Sequence, residues 1–244
     1  MGPDRDAGSR GADDLRRHRA ARRGAPVIVL YTYFRSSAAY RVRIALNLKG
    51  IAYEPRFVHL ARGEHHEAAY RALNPQGLVP VLAHGARVLT QSLAILEYLD
   101  EGFPTPPLLP PAPELRARAR AFAGLVACDI HPLDNLRVLR YLEHALGQGP
   151  EARGLWYRHW IQEGFRALET MLGETMLGAD AGAGPYCLGQ GPTIADVCLI
   201  PQVYNARRFD CDLRDFPHIQ AIEAHCLTLP AFRQAAPEAQ ADAE

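Results

Sequence analysis

"VIVLYTYFRSSAAYRVRIALNLKG", residues 27–50, passes from a β-branched and aromatic run through a polar step, Arg35-Ser36-Ser37, into apolar residues at helical spacing. Val27 to Tyr33 read as a buried strand, because a short apolar run bounded by polar residues leaves no face for solvent. Ser36 or Ser37 then caps a helix that ends near Gly50, its hydroxyl accepting from a backbone N–H that has no partner within the helix. Free N–H groups and the helix dipole make such a start electropositive, with two hydroxyls and the Arg35 guanidinium beside it.

The flanking sequence extends this unit. "AYEPRFVHL" reads as a second strand, "GEHHEAAYRALNP" as a short helix stopped by Pro75, and "LVPVLAHGARVLTQS" as two strands joined at His84-Gly85. "SLAILEYLDEG" has helical spacing, with Ser92 as its expected cap, which completes the order β-α-β-α-β-β-α. Six prolines between 104 and 113, in "FPTPPLLPPAP", cannot continue a helix and form a stiff extended connector. Beyond Glu114 the apolar residues recur at i, i+3 and i+4, as in "LWYRHWIQEGFRALETML", so the remainder reads as all-helical. The expected organisation is an extension over 1–25 without stable structure, an α/β unit over 26–107 and an all-helical unit over 108–244. The alanine-rich tail after Pro237 is expected to fray.

Composition narrows the function. With 244 residues, 48% of them hydrophobic, the chain buries a substantial core. Basic and acidic residues balance at 27 each, so no overall field favours nucleic acid or a membrane surface, and any anion site must be local. Lys49 is the single lysine, a bias that genome-wide composition explains better than function, although arginine also suits bidentate carboxylate binding. Five cysteines without a C-x-x-C pair argue against a zinc site or a disulfide scaffold and for a reduced, cytoplasmic setting; no metal is expected. No run approaches the ~18 apolar residues of a membrane span. The first 25 residues carry seven arginines and four aspartates, too acidic for a mitochondrial transit peptide and too polar for a secretory signal.

Five segments in order, "FRSSAAYRVRIALNLKG", "ALNPQGLVPVL", "QSLAILEYL", "DIHPLDNLRVLRYL" and "IPQVYNARRFDCDL", resemble the zeta class of the cytosolic glutathione transferases over about residues 28–236. That resemblance implies a thioredoxin-like domain followed by an all-helical domain, with glutathione as cofactor and a homodimer as the assembly. It also implies a cis peptide bond at Val79-Pro80, and "GPTIADVCLIP" matches the family's helix start, with Thr193 and Asp196 as a capping box. By the same resemblance Gln91 and Ser92 hold the glutamyl end of glutathione, the Val79 backbone its cysteinyl amide and His65 its glycyl carboxylate. His131 and Asn135 reach across from the helical domain, and Arg35, Arg137 and Arg208 bind the substrate. Arg208 is preferred over Arg207 because the family's arginine directly precedes the phenylalanine, here Phe209.

The activity so implied is cis–trans isomerisation of a maleyl keto diacid, by thiolate addition, bond rotation and elimination. Maleylacetoacetate from tyrosine breakdown is the leading substrate and maleylpyruvate from gentisate breakdown the alternative; conjugation of small α-halo acids is a side activity of the class. Zeta members often read S-S-C at the helix start, and here the third position is Ala38, so the protein itself brings no thiol to that place. Which serine meets the sulfur stays open. Simpler readings exist: a plain cap for Ser36 and Ser37, a packed histidine for His131, a solvated pair for His65 and His66, and a charged surface stripe for Arg137 and Arg140. A non-catalytic interaction protein on the same scaffold is the reading from a different class.

Overall fold

The computed structural model describes residues 27–177 and 184–244; the expected N-terminal extension lies outside them. Strand β1, Ile28–Thr32, leads into helix α1, Ser37–Leu48. Strand β2 (Tyr53–Phe57), a 3-10 turn (Glu64–His66) and helix α2 (Ala68–Leu73) follow. Strands β3 (Val81–His84) and β4 (Arg87–Thr90) then precede helix α3, Ser92–Gly102. The sheet order is β2-β1-β3-β4, with β1 parallel to β2 and antiparallel to β3, and β3 antiparallel to β4. This is the thioredoxin-like arrangement, and β1 is central because it is buried on both faces.

The second half is helical: α4 (Pro113–Gly124), a π turn (Leu125–Ile130), α5 (Leu136–His144), α6 (Pro150–Leu177), α7 (Ile194–Arg208), α8 (Pro217–Cys226) and α9 (Pro230–Ala235). The segment Glu114–Leu146, periodic in sequence, is broken at His131–Asn135, where Asn135 caps α5 by accepting from the Arg137 N–H. Helix α7 begins on the expected capping box. The Asp196 carboxylate accepts from the Cys187 and Thr193 N–H groups and the Thr193 hydroxyl, and Thr193 Oγ1 accepts from the Ala195 N–H.

Helix α1 lies between the halves, which is why it is buried nearly all round instead of on one stripe. It packs against α3 of its own half and against α7 and α9 of the helical half. The Tyr40 hydroxyl donates to the Phe232 carbonyl at 3.2 Å and Asn47 Nδ2 to the Ala231 carbonyl at 3.0 Å. Arg43 ties the same helix to its own entry loop, donating to Thr32 Oγ1 and the carbonyls of Tyr33, Phe34 and Ala235.

Two expectations need correction, and the proline connector has contacts that its composition does not announce. Leu108 and Leu109 within it are buried, roughly 2 kcal/mol each, and the buried Lys49 ammonium donates to Asp100 Oδ1 and the carbonyls of Phe103 and Pro106. Ser92 is not the cap of α3 but its first residue, the cap position belonging to Gln91. The tail does not fray, because Asp242 Oδ2 accepts from the Phe34 N–H at 3.0 Å and Glu238 accepts from the Tyr204 hydroxyl at 2.6 Å. Polar side chains facing specific partners, which apolar periodicity cannot register, hold that tail down.

Candidate active site

The N-terminus of α1 opens into a cavity of ≈ 490 Å³ between the two halves, in the size range of small-molecule sites. The thioredoxin-like half contributes Arg35, Ser36, Ser37, His65, Gln76 and Val79 to its wall, and the helical half His131, Asp134, Asn135, Arg137, Arg140, Tyr157, Asn205 and Arg208. The Val79-Pro80 bond is cis, as expected. Upstream of it, the Leu78 carbonyl accepts from the Tyr70 hydroxyl and from Asn74 Nδ2, both at 2.7 Å, which fixes the Val79 backbone on the wall.

Both serines have an acceptor position filled from the protein. Ser36 Oγ accepts from the Ala39 N–H at 3.2 Å as the cap of α1. Ser37 Oγ, which is buried, accepts from Asn205 Nδ2 of α7 at 2.6 Å. A hydroxyl carries one donor, so in each case the proton remains to be given to an anion in the cavity. Asn205 lies 168 residues from Ser37 in sequence, and no local pattern marks it.

Four guanidinium groups line the wall, Arg35, Arg137, Arg140 and Arg208. Arg137 and Arg140, three apart on α5, both line the cavity, Arg137 while remaining exposed. Arg207 turns away into an ion pair with Glu223 of α8, Nε to Oε1 at 2.8 Å, whereas Arg208 lies over the Phe209 ring at 4.7 Å and lines the wall. Phe209 in turn stacks on Tyr157 at 3.6 Å between ring centroids. Asp134 is the one carboxyl among the described lining residues, and burial pushes it up to about 8, so at neutral pH it does not offset the arginines. His131 is held down to about 3 by burial, with Arg41 and Arg137 adding to the effect. His65 is held down to about 4 by burial, then by His66, Arg140 and Arg71. Both imidazoles are therefore neutral donors or acceptors, not cations.

Gln91 and Ser92 are not on the cavity wall itself. Gln91, at φ 67° and ψ 116°, turns the chain into α3, and its Nε2 donates to Oε1 of the wall residue Gln76 at 2.8 Å. Ser92 sits behind it, its Oγ accepting from Arg41 Nη1 at 3.1 Å. None of the five cysteines lines the cavity; four are buried, and Cys128 is exposed on the π turn. The start of α1 therefore has no thiol of this chain beside it.

Residues 30–107 match the family model for the glutathione S-transferase N-terminal domain. A probable maleylacetoacetate isomerase of Vibrio cholerae serotype O1 is 53% identical over 218 residues, covering 88% of this chain and 98% of that protein. The holo structure of maleyl pyruvate isomerase, a bacterial zeta-class glutathione S-transferase, superposes with a TM-score of 0.85 at 49% identity, over 88% of this chain and all of that one. The chain belongs to the zeta-class glutathione transferases. A maleylacetoacetate isomerase of Methylobacterium extorquens AM1, solved with malonate and glutathione bound, superposes on this zeta-class chain at a TM-score of 0.84 with 43% identity, over 88% of this chain and 99% of that one.

The cavity of this glutathione transferase suits the tripeptide. His65 Nδ1 is buried without a partner, Ser36 and Ser37 keep a proton to donate, and the positive end of α1 faces inward.

Proposed function

We propose that this chain is a glutathione-dependent cis–trans isomerase of maleyl keto diacids, with maleylacetoacetate as its substrate and maleylpyruvate as the alternative. Bound glutathione supplies a thiol able to add reversibly to an activated double bond. Ser36 and Ser37, with the free N–H groups of α1, favour the anionic form of a thiol held there. Gln91 and Ser92 hold the glutamyl end, the Val79 backbone the cysteinyl amide, His65 the glycyl carboxylate, and His131 and Asn135 close the site from the helical half.

Arg35, Arg137 and Arg208 hold the two carboxylates of the diacid and stabilise the negative charge that develops on its carbonyl side. Arg140 joins them, being on the same wall. The convergence of four guanidinium groups and two proton-donating serines on a cavity without a protein thiol carries this reading. Residues 26–107 act as the glutathione-binding unit and 108–244 as the substrate-binding unit.

The enzyme works as a homodimer in the cytoplasm. Val88 on the edge strand β4, 42% exposed, supports the first as apolar surface that a partner subunit would cover. Five free thiols in a chain whose described helices include none long and apolar enough to cross a membrane support the second.

The test is a side-by-side rate measurement on maleylacetoacetate and maleylpyruvate with glutathione added and omitted. Turnover should require glutathione with both and run faster on maleylacetoacetate; undiminished turnover without any thiol would overturn the reading.

A further inference from the structure

Arg41 and Arg43 are both wholly buried in α1, at 1% and 0% exposure, yet they differ in what surrounds them. Arg43 donates four hydrogen bonds, which accounts for its burial. Arg41 donates one, from Nη1 to Ser92 Oγ at 3.1 Å, while its Nε and Nη2 are buried without a partner. The groups near enough to favour its charge are the thiols of Cys198 and Cys128, and among the described residues no carboxylate pairs with it. A guanidinium is not deprotonated in proteins, so this is a buried positive charge without a counter-ion. An apolar side chain of similar size would fill the space at no electrostatic cost.

Ser92 is 6% exposed and opens α3, a helix of 11 residues whose first N–H groups have no partner within the helix. Because Arg41 fills an acceptor position of Ser92 Oγ, the serine's own proton is left to be donated to a bound group. The serine hydroxyl, the helix start and the buried charge therefore act on the same point, where Gln91 is tied to the cavity wall through Gln76.

We propose that Arg41 is a positioning residue for glutathione, its buried charge acting through Ser92 as the counter-charge for the glutamyl α-carboxylate. This rests on the glutathione reading above and extends it to a residue that does not itself reach the cavity wall. The remote charge raises affinity for one carboxylate of the tripeptide and leaves the rest of its binding unchanged.

Calorimetric titration with two ligands tests this: glutathione, and 4-aminobutyryl-cysteinyl-glycine, which lacks only the glutamyl α-carboxylate. The wild-type chain should bind glutathione at least tenfold more tightly than the analogue. Arg41→Met should abolish most of that preference by weakening glutathione alone, Arg41→Gln standing in if the methionine variant does not fold, and Arg41→Lys should keep the preference within about threefold. A preference unchanged in the uncharged variant, or an equal loss for both ligands, overturns the inference, the second marking Arg41 as merely structural. Equal binding of the two ligands by the wild type sinks the inference but leaves the glutathione reading standing; binding of neither sinks both.

Discussion

Asp134 shows how a single side chain can carry a pH dependence that its sequence context conceals. Its two carboxylate oxygens are buried without a hydrogen bond, and Gln202 lies near enough to favour the ion slightly without reaching bonding geometry. Burial raises the group to about 8, against about 4 for an exposed aspartate. Between those values the folded chain holds a proton that the unfolded chain has released, so this group's contribution to stability is intact below pH ~4 and is lost as the pH rises through about 8. Asp134→Asn removes the dependence: its gain in unfolding free energy over the wild type should grow from pH ~4 to ~8 and then level off, as read by urea melts across that range. A gain independent of pH would show that the carboxyl is ionised in the folded chain. In "HPLDN" nothing distinguishes Asp134 from a solvated turn aspartate, since the neighbours beside it, Tyr157 of α6 and Gln202 of α7, are distant in sequence. Asn205 was hidden for the same reason, whereas Ser36 and Ser37 could be read because a cap is a local signal.

The connection between the α/β half and the helices is an element with its own fastening. Lys49, just past the end of α1, has no exposed side-chain surface and binds Asp100 at the end of α3 together with two carbonyls of the proline segment. Asp100 Oδ1 also accepts from the Leu108 N–H at 2.7 Å, so one ion pair closes both sides of the crossover. Lys49→Met leaves the carboxylate and the carbonyls short of their donor and should lower stability by about 3–5 kcal/mol, measured by chemical denaturation. A loss under about 1 kcal/mol would place the strength of the crossover in Leu108 and Leu109 instead. The six prolines announced a boundary, but the sole lysine of the chain gave no sign of being its clamp. The strands and α1 were legible because alternation and apolar spacing are local; the break at His131–Asn135 was not, because the helical periodicity continues through it.

On the scale of the molecule, the two halves make one site because α1 belongs structurally to both. Its first residue is reached by Asn205 of α7, Tyr40 at the end of its first turn by the Phe232 carbonyl and Asn47 at its far end by the Ala231 carbonyl, both of α9. The thioredoxin-like order and the helical remainder could be read from strand and helix signals, and the motifs could be matched to a family. The family resemblance already implied Arg35, Arg137 and Arg208 at one substrate, whereas Arg140 beside them on the cavity wall depended on tertiary packing and became visible only in the structure. On the function proposed above, this assembly makes a supplied thiol acidic, since no cysteine of the chain reaches the cavity. An unperturbed thiol ionises near about 8.5, and a fall of about two units corresponds to ~2.7 kcal/mol of preference for the thiolate. Ultraviolet thiolate absorbance of the stoichiometric glutathione complex, titrated from acid to alkaline pH, measures that preference. The bound thiol should ionise near about 6.5 in the wild type and move back toward about 8.5 when Ser36→Ala and Ser37→Ala are combined; a bound thiol that ionises as it does free in water would contradict the account.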